Sequence, residues 1–109
     1  MKKFILFLIF FFNLSIINAQ NTIQEMIDNA DSYDTITIDS GTYSEALIID
    51  KSITLNTNGE VILNVAGHTT GITVNENTSD VTISGFTIIG DALTGSGITV
   101  NPGATNISI

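Results

Sequence analysis

The chain has 109 residues, and its first nineteen read as a leader, so about ninety remain for one small domain and none for a multidomain enzyme. Beyond Ala19 the sole basic residue is Lys51 against eleven Asp and Glu, a formal charge of −10, and arginine is absent throughout. That balance argues against a nucleic-acid backbone or an anionic membrane surface as partner, and the lack of cysteine excludes a disulfide framework.

Lys2 and Lys3 precede an unbroken apolar run from Phe4 to Phe12, followed by the short polar end Asn18-Ala19-Gln20. This is the order of a secretory signal peptide over residues 1–19, with the mature chain expected to begin at Gln20. A membrane span needs roughly twenty apolar residues, more than this run offers before Asn13. The expected location is therefore outside the cell, secreted or held at the cell surface.

Thr22-Ile23-Gln24-Glu25 forms a capping box, in which the Thr22 hydroxyl and the Glu25 carboxylate each serve the other's backbone N–H. The helix that follows is expected to last about nine residues, with Ile23, Met26, Ile27 and Ala30 on one apolar stripe at i, i+3, i+4 and i+7. So short a helix is marginal alone, and its stripe must pack on something. Helix and exit together occupy residues 20–34.

From Thr35 the period changes to two, in Thr35-Ile36-Thr37-Ile38, Ala46-Leu47-Ile48-Ile49, Ser52-Ile53-Thr54-Leu55 and Glu60-Val61-Ile62-Leu63. Ile, Val and Thr make up 35 of the ninety residues after the leader, a strand composition. Gly71-Ile72-Thr73-Val74-Asn75 then recurs unchanged at Gly97-Ile98-Thr99-Val100-Asn101, an offset of 26. Val81-Thr82-Ile83 maps onto Ile107-Ser108-Ile109 at the same spacing, and Phe86-Thr87-Ile88-Ile89 lies between as a third strand of the period. An antiparallel meander would also show alternating strands, but a fixed period with the same apolar positions favours coils stacked in register. Parallel crossovers are nearly always right-handed. Residues 35–109 are thus read as an all-β, right-handed parallel β-helix, a solenoid with three strands per coil closed at its N-terminal end by the short helix. Ile72, Val74, Ile83, Phe86, Ile98 and Val100 are expected to point inward. The chain stops in the second strand of a coil without a polar cap, so the β-helix is expected to be truncated at its C-terminus.

Thr22-Ile23-Gln24-Glu25-Met26-Ile27, Asp34-Thr35-Ile36-Thr37-Ile38, Gly41-Thr42-Tyr43-Ser44-Glu45 and Lys51-Ser52-Ile53-Thr54-Leu55 together resemble the N-terminal part of pectin-lyase-like parallel β-helix proteins. The resemblance covers nearly all of the chain after the leader and implies a fold more than an activity. It also implies that the helix plugs the open end of the cylinder. Gly41-Thr42-Tyr43-Ser44-Glu45 matches the Gly-x-Tyr-x-Glu signature of pectinesterases, whose catalytic residues lie further along. Where that family carries Gln-Ala-Val-Ala, this chain reads Ser96-Gly97-Ile98-Thr99. Pectate lyases use an arginine base, absent here, and polygalacturonases a Gly-His-Gly where this chain has Gly67-His68-Thr69.

Individual candidates read first as structure. His68, the sole histidine, sits in a turn with no nucleophile motif beside it. Asp28, Asp31 and Asp34 are spaced by three, which suits the wet side of a helix and its exit better than a calcium loop. Tyr43 and Glu45 could line a sugar groove, but more simply order the first turn of the coil. Asn56, Asn75 and Asn101 follow strands, as turn residues do. Asn77-Thr78-Ser79 and Asn106-Ile107-Ser108 fit the N-glycosylation pattern. No catalytic, cofactor-binding or metal-ligating residue is assigned, and no cofactor is expected.

Two functional readings follow. The first is the N-terminal part of a secreted or cell-surface β-helix protein, noncatalytic in this chain, presenting a surface to polysaccharide or another cell-surface glycan. The second is the N-terminal part of a pectate lyase-like or pectinesterase-like enzyme whose site lies beyond Ile109. The sequence leaves enzymatic activity open.

Overall fold

The computed structural model describes residues 22–109; the leader and the expected mature start at Gln20 lie outside them. The described part opens with helix α1 (Ile23–Asn29) and continues through eight strands: β1 (Thr35–Ser44), β2 (Leu47–Ile49), β3 (Thr54–Asn64), β4 (Thr70–Val74), β5 (Ser79–Ile83), β6 (Phe86–Ile89), β7 (Ser96–Val100) and β8 (Thr105–Ser108).

The capping box forms as expected, with the Glu25 N–H donating to the Thr22 hydroxyl at 3.1 Å and the Thr22 N–H to the Glu25 carboxylate at 3.0 Å. The helix is shorter than expected. Ala30, the last residue of the apolar stripe, is already extended at φ −79°, ψ 152° and caps the helix through its N–H to the Ile27 carbonyl. The chain must leave the helix there to reach β1 within a few residues.

Every strand pairing among the described residues is parallel, which excludes the antiparallel meander. One sheet runs β1-β3-β5-β8, with β6 also paired to β3, and the other runs β2-β4-β7. Parallel partners cannot be joined by tight turns. Here the connection between β1 and β3 passes through β2 in the other sheet, and that between β4 and β7 through β5 and β6. The 26-residue repeat becomes register: Ile72, Thr73 and Val74 lie beside Ile98, Thr99 and Val100, and Val81 and Thr82 beside Ile107 and Ser108.

The two short strands expected at Ser52–Leu55 and Glu60–Leu63 are one, β3, and β1 likewise runs on through Gly41-Thr42-Tyr43-Ser44. The pair β1 and β3 shifts register between Asp39 and Gly41, and Gly59 has φ +88°. The bulge lets one strand change direction without ending. In the next layer that bend is a break, since Thr54-Leu55 pairs with β5 and residues 61–64 pair with β6. Asn56 accordingly lies within β3 and does not follow a strand.

Alternation along the strands sends one set of side chains between the sheets. Ile36, Ile38, Leu47, Ile49, Leu55, Val61, Leu63, Ile72, Val74, Val81 and Ile83 form this core, and Ile23 and Ile27 of α1 join it fully buried. Of the expected inward residues, Ile72, Val74 and Ile83 are buried, while Phe86 and Ile98 pack against the core half-buried. Val100 departs from expectation at 43% exposed. It lies beside the buried Val74, but β7 is the outermost strand of its sheet, so no described strand covers its other side.

Candidate functional surface

Docking of the helix builds the N-terminal end of the molecule. The four N–H groups that open a helix have no intrahelical partner. Here the Glu45 carboxylate accepts from Ile23 N at 2.9 Å and Gln24 N at 3.1 Å, Thr22 Oγ1 accepts from Glu25 N, and the Glu25 carboxylate from Thr22 N. An anion there also faces the positive end of the helix. At the other end Lys51 Nζ donates to the carbonyls of Asp28 at 3.2 Å and Ala30 at 2.9 Å, in a helix with no basic residue in its last turn. The Gln24 amide spans to β2, its Oε1 accepting from Ile48 N and its Nε2 donating to Ile48 O. One side chain thereby satisfies a residue of β2's free edge as a neighbouring strand would.

Glu45, expected to order the first turn of the coil, instead holds the N-terminus of the helix. Tyr43 is buried, and its hydroxyl donates to the Asp39 carbonyl at 2.8 Å across the bulge of β1. The two side chains therefore do not form a sugar groove. The parts played by Gln24 and Lys51 are not legible in local sequence, since their partners lie more than twenty residues away. The one signal for Lys51 was that a single cation remained for a helix end that wanted one.

Asp28, Asp31 and Asp34 are exposed and separate in role. Asp28 accepts from Gln24 Nε2, and Asp34 accepts from Asp31 N, which closes the exit turn. Among the described residues no group of three His, Asp or Glu is placed to hold a metal ion. His68 is exposed in the turn between β3 and β4, its N–H donating to the Val65 carbonyl. Asn75 and Asn101 follow β4 and β7 as expected.

Sequence reading missed Asp91. Its carboxylate accepts from Gly67 N in the preceding layer at 3.1 Å, from Leu93 N at 3.0 Å and from the Thr94 hydroxyl at 3.4 Å. The Gly67 and Leu93 amides, then Thr94, hold its carboxyl below the ordinary aspartate value of 3.8.

The broadest chemical regularity is on the outer face of the larger sheet. Thr35, Thr54, Thr82 and Ser108 are successive register partners across four strands, and the two central ones, Thr54 and Thr82, are each flanked by buried apolar residues. Beside this row Thr37 is paired with Asn56, and the Ser84 hydroxyl donates to Asn56 Oδ1 at 3.5 Å. With strands about 4.8 Å apart, the result is a small flat field of hydroxyl and amide groups. These groups can donate to or accept from other hydroxyls, and they carry no charge.

Over an 81-residue alignment the chain is 38% identical to a protein named cell surface glycoprotein from Methanothermus fervidus. The similarity takes in 72% of this chain and 13% of that protein, so the chain spans about an eighth of the relative's length. No family model matches the chain, and no solved structure does. Among the described residues no helix is long and apolar enough to cross a membrane.

Proposed function

We propose that this chain is the N-terminal part of an exported, cell-surface protein, a right-handed parallel β-helix scaffold of the pectin-lyase-like kind. In this reading it is noncatalytic and offers its hydroxyl-lined sheet to polysaccharide or another surface glycan. The observation that carries the scaffold is the conversion of the 26-residue repeat into parallel register in both sheets, with each connection leaving for the other strands before it returns. Winding of that kind is nearly always right-handed. The surface location draws on the leader-like residues 1–19 and on the similarity to a cell surface glycoprotein.

The glycan-facing role draws on the row Thr35, Thr54, Thr82, Ser108 and on the Asn56 and Ser84 pair beside it. Cell fractionation tests location, and protease treatment of intact cells tests exposure. Protein retained in the cytoplasm with Phe4 to Phe12 still attached would refute the export. For the binding role, T54V with T82V keeps the β-branched shape and removes two hydroxyls. Retention of the unaltered protein on immobilised wall polysaccharide of its own cells, reduced several-fold in the double variant at unchanged melting temperature, is the expected result. Equal retention of both would remove this face from the binding role, and turnover of the polysaccharide by the purified protein would replace the scaffold reading with an enzymatic one.

A further inference from the structure

We propose that Asn77 is a glycan attachment site and that Asn106, the other residue after the leader in the same Asn-x-Ser/Thr pattern, is left unmodified; this rests on the export proposed above. In the reaction the Asn77 side-chain nitrogen attacks the anomeric carbon of a glycosyl phosphate donor. The new C–N bond replaces the sugar C–O bond, the phosphate departs with that electron pair, and the amide gives up one proton. Nothing is oxidised or reduced.

The folded structure suits this product at one site and opposes it at the other. Asn77 is exposed in the turn between β4 and β5, in the left-handed region at φ 62°. The turn is fixed by its backbone: Asn77 N donates to the Pro102 carbonyl of the next layer, and Thr78 N to the Asn75 carbonyl. The Asn77 Oδ1 lies against Gly103, where a Cβ would collide with it, whereas no hydrogen bond of the described residues engages its Nδ2. A sugar on that nitrogen displaces no protein partner. Asn106 differs, because its Nδ2 donates to Asp80 Oδ1 at 2.6 Å. A sugar there would crowd the Asp80 carboxylate and replace a proton on the donor of a contact between layers.

The test uses the protein from the cells that make it. Cleavage before aspartate separates the two sites, since residues 50–79 carry Asn77 and the peptide that begins at Asp91 carries Asn106. Mass analysis with peptide fragmentation should find residues 50–79 heavier by whole sugar residues and Asn106 without added mass. The added mass should vanish in N77Q and also in S79A, which keeps Asn77 but breaks the pattern. An exported protein, its leader removed, with residues 50–79 at sequence mass overturns the proposal while leaving the export intact. Added mass that survives S79A, or sugar on Asn106, overturns it as well. If the leader is still attached, the export fails and this proposal fails with it.

Discussion

At Glu45 a single carboxylate meets two amide donors of a helix that starts 22 residues earlier, Ile23 N and Gln24 N. Hydrogen bonds to a charged group contribute more than neutral ones, so E45A should cost about 2 kcal/mol. The loss should be local first, with faster amide exchange in α1 than in β4. Uniform acceleration across the chain would mean that the helix and sheets open together and that Glu45 has no special hold on α1. Asp91 makes a different prediction, in pH. Its folded value lies below the unfolded one, so its contribution is complete above the unfolded value and is lost as pH falls through the folded value. D91N should therefore melt lower than the unaltered protein at neutral pH, and the gap should close below about pH 3.8. A gap that persists undiminished into stronger acid would show that the carboxylate's charge is not what holds Gly67 and Leu93.

At the scale of strands, the two copies of the repeat are identical in sequence and unequal in environment. A Cβ on Gly71 would sit 2.5 Å from the Gly97 carbonyl oxygen and 3.3 Å from both Ile88 and Val65, whereas one on Gly97 meets nothing within 4 Å. Overpacking of that kind costs about 1 to 3 kcal/mol, so in the 109-residue chain G71A should lower the melting temperature while G97A leaves it unchanged or slightly raised. Equal effects would show that the layers do not stack as described. The ladder Leu47, Ile72, Ile98 grades in the same way. Ile72 is fully buried and I72A should cost about 3 kcal/mol. In the 109-residue chain, where no described strand lies beyond β7, I98A should cost about 2 kcal/mol and V100A about 0.5 kcal/mol or less. Denaturant unfolding of the three variants checks the order, and a cost for V100A as large as for I72A would contradict it.

For the whole molecule, stability without disulfides has to come from apolar ladders and from the groups that fasten one layer to the next. Ser52 Oγ to the Ser79 carbonyl at 2.6 Å, Asp91 to Gly67, and Asn106 to Asp80 each join residues more than twenty apart in sequence. The helix closes one end of this stack with Ile23 and Ile27 fully buried. Replacing Ile27 with Asp would place an unpaired charge in that end and should prevent folding of α1 onto the sheets, read as loss of amide protection in both α1 and β2. Retained protection at β2 would show that the strands stand without their helical cover.

The sequence by itself determined the helix start, because a capping box is made of residues three apart, and it determined the 26-residue period, because stacked layers repeat the same inward positions. The alternation of apolar residues likewise marked Ile72, Val74 and Ile83 for the core. Strand continuity was decided only in three dimensions. Ser52–Leu55 and Glu60–Leu63 look like two strands, and whether a glycine between them ends a strand or bends it depends on the neighbour, here β1 with its bulge at Asp39. The same holds for Glu45, Gln24, Lys51 and Asp91: each is an ordinary surface residue by type, and it acquires its function from a backbone group that only the folded chain brings within about 3 Å.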